Sequence, residues 1–204
     1  MAKNSARTRT RDEKKVETRE ALIIAATAEL AEKGIEAASL NAICDRAGFT
    51  RGAFYVHFKD REDLVAAVVE RVIGSFQEEV IATAGAREDL VTTIAQYVSA
   101  VVAGAPATKG TKHWQFHHTL AACSHSAKLR ARYVGLQKRA IERVAAAAVA
   151  GQQAHTVRDD VPAQNLAEIL VLLTLGVAAA HEVGVPIDLA AGGAALAKLV
   201  AAHR

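Results

Sequence analysis

Apolar residues recur at intervals of three and four along most of this chain, and short polar or glycine-containing segments separate the runs. Ile23, Ala26 and Leu30 mark the first run, and Gly34 follows where a left-handed helix cap is expected. The pattern continues to the C-terminus and predicts about nine helices. Their predicted positions are residues 16–33, 40–47, 50–58, 60–82, 88–103, 111–124, 127–150, 163–182 and 188–203.

Composition supports an all-α fold class. The 204 residues are 51% apolar and 4% aromatic, with three prolines, and such alanine-rich sequences favour helices. We predict an N-terminal three-helix domain within residues 1–61 and a larger helical domain in residues 62–204. The apolar run Ile169–Ala180 is shorter than the roughly 20 residues of a membrane span. It therefore predicts a buried helix and no membrane partner.

The cellular compartment follows from the N-terminus and the cysteines. The first residues are basic and polar and lack the apolar segment of a secretory signal. Cys44 and Cys123 do not make a disulfide framework. Both observations indicate a reduced, cytoplasmic protein.

Positive charge is concentrated near the N-terminus. Residues 1–61 contain twelve Lys and Arg against nine Asp and Glu, whereas residues 62–204 contain thirteen of each. This asymmetry predicts a polyanion-binding end attached to a neutral body. Residues 1–15 are predicted to be a flexible basic arm, which either follows the DNA backbone or minor groove or is a disordered tail.

The segment from Ala47 to Phe58, AGFTRGAFYVHF, holds all four Phe and Tyr residues of the first domain and a histidine. On a helix, Phe54 and Phe58 lie on one face and point inward, while Tyr55 projects outward. Two short helices joined by a turn at a small residue and a glycine are typical of a helix-turn-helix. In that motif the second helix enters the major groove of DNA.

Each exposed residue type in this segment suits a contact with DNA. Gly52 and Ala53 allow the backbone close to the duplex. Arg51 can donate two hydrogen bonds to guanine, worth about 1–3 kcal/mol of discrimination, and Val56 can touch a thymine methyl. Phosphate contacts, which position the protein without specifying sequence, are predicted for Thr50, Tyr55, His57 and Lys59.

Residues 39–64, SLNAICDRAGFTRGAFYVHFKDREDL, resemble the signature of the tetracycline-repressor (TetR) family of regulators. The resemblance implies an all-helical homodimer. It predicts a DNA-binding domain in residues 1–61 and a divergent ligand-binding and dimerisation domain in residues 62–204. It places Thr50 at the start of the recognition helix and places Arg51, Gly52, Tyr55 and His57 against DNA. It also implies phosphate contacts for Ser39 and Arg61, where the family usually has Thr and Lys.

The body resembles the family only in being helical. The helices at 163–182 and 188–203 are predicted to pair with their copies in a homodimer, as the family pairs. The alternative is that 163–182 is an ordinary core helix within one chain. A two-fold dimer would bind a pseudo-palindromic, double-stranded operator.

The body also contains a cluster of histidines. His113 and His117 are four residues apart, a spacing that can bind a metal, but neither a second motif nor a carboxylate accompanies them. We therefore predict neither a metal nor a cofactor. A pocket for an unknown small molecule is the preferred interpretation. Its predicted lining is Tyr97, Trp114, His117, His118, Ala121, Tyr133, Gln137 and His181.

The sequence thus predicts a ligand-responsive transcriptional regulator, a repressor released from its operator by a small molecule, and not an enzyme. The alternative is a metal-binding protein or enzyme that uses the helix with His113, His117 and His118. A third possibility is a DNA-binding protein whose body serves only dimerisation.

Overall fold

The computed structural model describes residues 10–84, 90, 93, 94 and 116–202, without the side chains of residues 75–84 and 118. The described part contains eight helices and confirms the all-α fold class. The predicted helix at 88–103 lies mostly outside the described residues. The helices are α1 (Arg11–Lys33), α2 (Leu40–Ala47), α3 (Arg51–His57), α4 (Arg61–Ala84), α5 (Phe116–His125), α6 (Ala127–Gln153), α7 (Ala163–Glu182) and α8 (Leu189–Val200).

The chain divides into two compact units, Met1–Val68 and Val69–Arg204, which meet within α4. The first unit holds α1, α2, α3 and the first turns of α4. The second holds the remainder of α4 and the helices that follow. The functional boundary between residues 61 and 62 stays a prediction.

Helix α1 begins earlier than the sequence pattern predicted. Thr10 is its N-cap: the Thr10 hydroxyl accepts a hydrogen bond from the Glu13 amide at 3.2 Å, and the Glu13 carboxylate accepts one from the Thr10 amide at 2.8 Å. This reciprocal pair is a capping box, and it corrects the predicted arm: Arg11, Lys14 and Lys15 are helical. The sequence Thr10-Arg-Asp-Glu13 carried the signal, because Thr followed three residues later by Glu marks a helix start.

The core of the first unit is apolar and closely packed. Leu22 and Leu30 of α1, Ile43 of α2 and Leu64 of α4 are fully buried, as is Phe54 of α3. Burying each such side chain contributes about 1.5–3 kcal/mol. Since these residues come from four helices, the core fixes where α3 lies on its unit.

A buried carboxylate joins α1 to α2. Glu29 is only 2% exposed, and its oxygens contact the Lys33 ammonium and, at 3.1 Å, the Arg46 guanidinium. Arg46 also donates two hydrogen bonds to Glu32, at 3.0 and 2.6 Å. A buried charge is tolerated only when it is paired, so this network fixes the register of α2 on α1.

In the second unit, α6 packs along α7. The core there is formed by Leu90, Ile94, Ala147, Ala148, Val157, Leu166, Leu170 and Val200. The last helix ends at Val200, not near residue 203 as predicted. The reason is tertiary: Val157 and Ala201 form an antiparallel bridge, which takes Ala201 out of the helix.

Helix α7 is less buried within one chain than its apolar sequence predicts. Leu166 and Leu170 are buried, but Leu172, on another face, is 65% exposed, and Ile169 and Leu173 are also exposed. The helix is therefore buried on one side only within a single chain. It has 20 residues and is long and apolar enough to cross a membrane by those two criteria alone, a property that core helices of soluble proteins share.

Candidate nucleic-acid interface

The turn between α2 and α3 is built around a glycine. Gly48 has φ 73° and ψ 27°, the left-handed conformation of a helix C-cap, which glycine adopts without steric cost. The Phe49 amide then donates to the Cys44 carbonyl at 3.0 Å. At the start of α3, the Thr50 hydroxyl accepts from the Ala53 amide at 3.2 Å. These local bonds confirm the predicted helix-turn-helix.

The rings of α3 divide between core and solvent as predicted. Phe54 is 0% exposed and Phe58 2%, and their rings stack with centroids 5.6 Å apart. Tyr55 and Val56 are 53% and 64% exposed. Because the two phenylalanines anchor the inner side of α3, its outer side is held rigidly on the surface of the unit.

The side chains of Arg51 and Tyr55 contact each other on the outer side of α3. A guanidinium nitrogen of Arg51 donates a hydrogen bond to the Tyr55 hydroxyl at 3.3 Å. This spacing of four residues aligns both side chains on one helix face. The contact leaves the phenol able to donate its own proton to an anion.

Gly52 is exposed, and the fold does not require it to be glycine. A Cβ atom there would come no closer than 3.6 Å to another group, the Thr50 hydroxyl, which is ordinary van der Waals contact. A glycine in a helix costs roughly 0.5–1 kcal/mol relative to alanine. Its presence is therefore better explained by what approaches α3 from outside.

His57 ends α3 beside two cations of α1. Burial lowers the pKa of His57, and the positive charges of Lys15 and Arg19 lower it further. Its ordinary value of 6.5 is already below neutral pH, so the ring is mainly uncharged at pH 7. A neutral imidazole still offers one N–H donor.

The other predicted phosphate contacts differ in their exposure. Ser39 and Lys59 are exposed, and the Ser39 hydroxyl also caps α2 by accepting from the Ala42 amide at 3.1 Å. Ala53 is half-buried. The side chains that reach the surface around α3 are those of Ser39, Thr50, Arg51, Tyr55, Val56 and Lys59.

Arg61, a predicted phosphate contact, also bonds to carbonyls of its own unit. Its guanidinium donates to the Ala38 carbonyl at 3.1 and 2.9 Å and also to the Ile35 carbonyl. These carbonyls lie in the segment between α1 and α2, so Arg61 joins the start of α4 to that segment. Lys, the usual residue in the family, lacks the forked donors that make several such bonds at once.

The predicted pocket residues of the body differ in their exposure. Tyr133 is buried and Gln137 half-buried, whereas Ala121 and His181 are exposed. Three predictions lie outside what the structure describes: Tyr97, Trp114 and the side chain of His118. The pocket therefore stays a prediction.

His117 has a partner that the sequence did not reveal. Its ring nitrogen Nδ1 and the backbone amides of Phe116 and His117 all donate to the Glu182 carboxylate at the end of α7. Burial raises the pKa of Glu182, but these hydrogen bonds outweigh it and hold that pKa below its ordinary value. In the described part of the chain, no three His, Cys, Asp or Glu side chains gather into a possible metal site, and His113 lies outside that part.

The two cysteines resemble small buried apolar residues more than reactive thiols. Both are free and buried. Burial raises the pKa of each thiol above its ordinary value, against the opposing charge of Arg51 near Cys44 and of Arg130 near Cys123. A thiol held protonated is a poor nucleophile.

A capped helix-turn-helix that exposes arginine, tyrosine and valine defines a DNA-binding protein. Residues 22–68 match the family described as bacterial regulatory proteins, tetR family. The HTH-type transcriptional repressor BepR of Brucella suis biovar 1 is 40% identical over 73 residues, which are 36% of this chain and 34% of that repressor. The aligned segment thus spans about a third of this relative's length.

Solved structures extend the likeness to the whole fold. A TetR family regulator from Cytophaga hutchinsonii superposes with a TM-score of 0.78 at 16% identity, over 97% of this chain and 100% of the other. SmeT, the repressor of the Stenotrophomonas maltophilia efflux pump SmeDEF, gives 0.66 at 24% identity, over 90% and 89%. A SmeT–triclosan complex gives 0.68, also at 24%, over 89% and 88%.

These matches confirm the resemblance predicted from residues 39–64: residues 22–68 match the tetR family of bacterial regulatory proteins, and the fold is similar to that of TetR family regulators. The matched relatives and the fold are those of regulators and not of enzymes.

Proposed function

We propose that this protein is a transcriptional repressor that binds a pseudo-palindromic DNA operator as a homodimer and is released by a small molecule. One observation carries the DNA-binding part: α3 buries Phe54 and Phe58 and exposes Arg51, Tyr55 and Val56. This division presents a guanine-binding cation, a hydroxyl and an apolar group on one rigid helix. Those are the groups that read base edges and phosphates in the major groove.

Tyr55 provides the sharpest test of this surface. Selection from a random duplex pool would supply an operator, and mobility-shift titrations would compare wild-type protein with Tyr55→Ala and Tyr55→Phe. We expect Tyr55→Ala to weaken binding roughly tenfold or more, and Tyr55→Phe to weaken it less, because a hydroxyl–phosphate bond contributes only part of the contact. Unchanged affinity of Tyr55→Ala, with helicity confirmed by circular dichroism, would refute the proposed surface.

The homodimer is proposed from the exposed side of α7. Ile169, Leu172 and Leu173 recur at helical spacing, and Gly176 beside them has nothing within 4 Å of an added Cβ. An apolar stripe with a glycine suits close packing of a second helix. Because α3 has only seven residues, one copy reads few base pairs, and a second copy is needed to read both half-sites of an operator.

Sedimentation equilibrium tests the dimer. Wild-type protein is expected to sediment as a dimer at micromolar concentration, and Leu172→Asp as a monomer, since a charge in an apolar interface is costly. Leu120→Asp is the matched control, because Leu120 is exposed on α5 outside the proposed stripe. A monomeric wild-type protein, or binding of the wild-type protein to lipid vesicles through α7, would contradict the proposal.

Release by a small molecule is proposed from the family and from SmeT, a protein of the same fold that has been solved with triclosan. A thermal-shift screen of apolar and aromatic compounds, starting with triclosan, would find ligands that raise the melting temperature. A true effector must also reduce operator affinity, because a ligand shifts an equilibrium only by its differential affinity for the two states. A screen without such a compound would favour a body that serves dimerisation alone.

A further inference from the structure

The first turns of α1 carry most of their positive and negative charges on separate faces. Arg11, Lys15 and Arg19 follow one another at intervals of four residues, so they form one stripe along the helix. Continued toward the C-terminus, the same stripe reaches Leu22 and Ala26, which are fully buried. The three cations therefore lie on the side of α1 that faces its own unit, beyond the edge of the core.

Three acidic residues of these turns lie on the other side, whereas Asp12 flanks the cationic stripe. Glu13, Glu17 and Glu20 recur at intervals of four and three and fall opposite Lys15 on a helix of 3.6 residues per turn. Charges of both signs mixed around a helix are typical of a solvated surface. Segregation instead leaves one face with a positive potential, which attracts anions.

The cationic face ends next to the recognition helix. The guanidinium carbon of Arg19 lies 5.1 Å from the centroid of the Phe58 ring, a distance at which a cation and an aromatic face attract each other. Lys15 and Arg19 are both exposed, and both act electrostatically on His57. The stripe is therefore a lateral extension of the exposed surface around α3.

We propose that Arg11, Lys15 and Arg19 form a phosphate-binding strip that holds the DNA backbone beside the groove entered by α3. This inference rests on the proposed DNA-binding function. The strip extends about 12 Å along the helix axis, several times the axial rise of about 3.4 Å between phosphates of one strand. Its N-terminal end also benefits from the partial positive charge of the helix dipole.

Such a strip contributes affinity without sequence preference, because phosphate contacts carry no base information. Arg19 is already positioned by the Phe58 ring, so less of its side-chain entropy is lost on binding. The strip also gives a role to α1 that a flexible N-terminal arm would not have, since its cations are held at fixed spacing by a capped helix.

Salt dependence distinguishes phosphate contacts from other effects. The probe is a fluorescein-labelled 30-base-pair duplex of arbitrary sequence, titrated by anisotropy at a series of KCl concentrations. The test variant is Lys15→Gln/Arg19→Gln. The control is Lys138→Gln/Arg139→Gln, which removes the same charge from two exposed residues of α6.

The test variant is expected to lose affinity by roughly three- to tenfold per side chain, and the slope of log K against log salt to fall by about 0.9 per lost contact. The loss should be equal on a second duplex of unrelated sequence. Lys15→Gln alone should lower the slope as well, which separates the effect from any destabilisation caused by removing Arg19 from the Phe58 ring.

The same titrations test the proposed DNA-binding function and the phosphate-binding strip separately. If wild-type protein does not bind either duplex at low salt and no operator can be selected, the proposed function itself is wrong. If wild-type protein binds but the test variant and Lys15→Gln behave like the control, DNA binding stands and the phosphate-binding strip is refuted.

Discussion

Phe54 and Tyr55 are consecutive residues of α3, with ring centroids 5.1 Å apart in edge-to-face geometry, yet one is fully buried and the other more than half exposed. Their side chains point about 100° apart around the helix. One ring therefore stabilises the domain and its neighbour is available for recognition, which makes the two functions separable by mutation.

Phe54→Ala should lower the free energy of unfolding of the first unit much more than Tyr55→Ala does. Removing a buried phenylalanine costs about 3–5 kcal/mol, whereas a surface substitution usually changes stability by less than about 0.5 kcal/mol. Urea denaturation followed by circular dichroism measures both free energies of unfolding. Equal losses for the two variants would mean that Tyr55 is part of the core.

Gly52→Ala should keep or raise the stability of the first unit and lower its affinity for DNA. The added methyl fits the fold and raises helix propensity by up to about 1 kcal/mol, so the melting temperature should stay or rise. Operator affinity should fall, because the methyl stands between α3 and the duplex. Gly48→Ala is the contrast: its φ of 73° makes alanine cost about 1–2 kcal/mol. A stable Gly52→Ala protein with wild-type affinity would exclude close DNA approach at this residue.

Arg61→Lys should destabilise the first unit by about 1–2 kcal/mol. The charge is retained, but lysine cannot keep all the hydrogen bonds that Arg61 makes to the Ile35 and Ala38 carbonyls. Chemical denaturation of the variant beside Lys59→Gln, an exposed neighbour, provides the comparison. An Arg61→Lys protein of unchanged stability would favour the phosphate contact implied by the family resemblance.

Glu182→Gln should weaken the junction of α5 and α7 by about 1–2 kcal/mol at pH 7, because charged acceptors bond more strongly than neutral ones. The pKa of Glu182 is lowered in the fold from its ordinary value of 4.5. The stabilisation is therefore complete above that ordinary value and is lost as pH falls through the lower, folded value. Thermal unfolding of both proteins between pH 7 and pH 3 should show the difference shrinking toward acid. A constant difference would contradict the lowered pKa.

Gly151→Ala should destabilise the second unit by about 1–3 kcal/mol through overpacking. A Cβ at this position would lie 2.4 Å from the Val157 Cγ2 atom and 3.3 Å from the Thr156 hydroxyl. The double variant Gly151→Ala/Val157→Ala removes the methyl that clashes and should recover part of the loss relative to Val157→Ala alone. Gly74→Ala, with nothing within 4 Å, should be neutral or stabilising. Equal melting temperatures for Gly151→Ala and Gly74→Ala would refute the clash.

The sequence alone predicts an element correctly where the interactions that form it are between residues close together in the chain. Helix spacing and the turn at a small residue and a glycine predicted α2 and α3 within a residue. The same periodicity predicted which rings of α3 turn inward. The early start of α1 is equally local, since its capping box joins Thr10 and Glu13, but the density of charge in residues 1–15 predicts a flexible arm instead of a helix.

Tertiary structure decided what local spacing does not encode. It directed Arg61 to carbonyls 23 and 26 residues away, paired His117 with Glu182 across 65 residues, and ended α8 at a bridge to Val157. It also left one side of α7 exposed within the chain. Periodicity assigns a residue to a face of its own helix. Which partner that face meets depends on how the helices pack, and the core sets that packing through contacts between residues far apart in sequence.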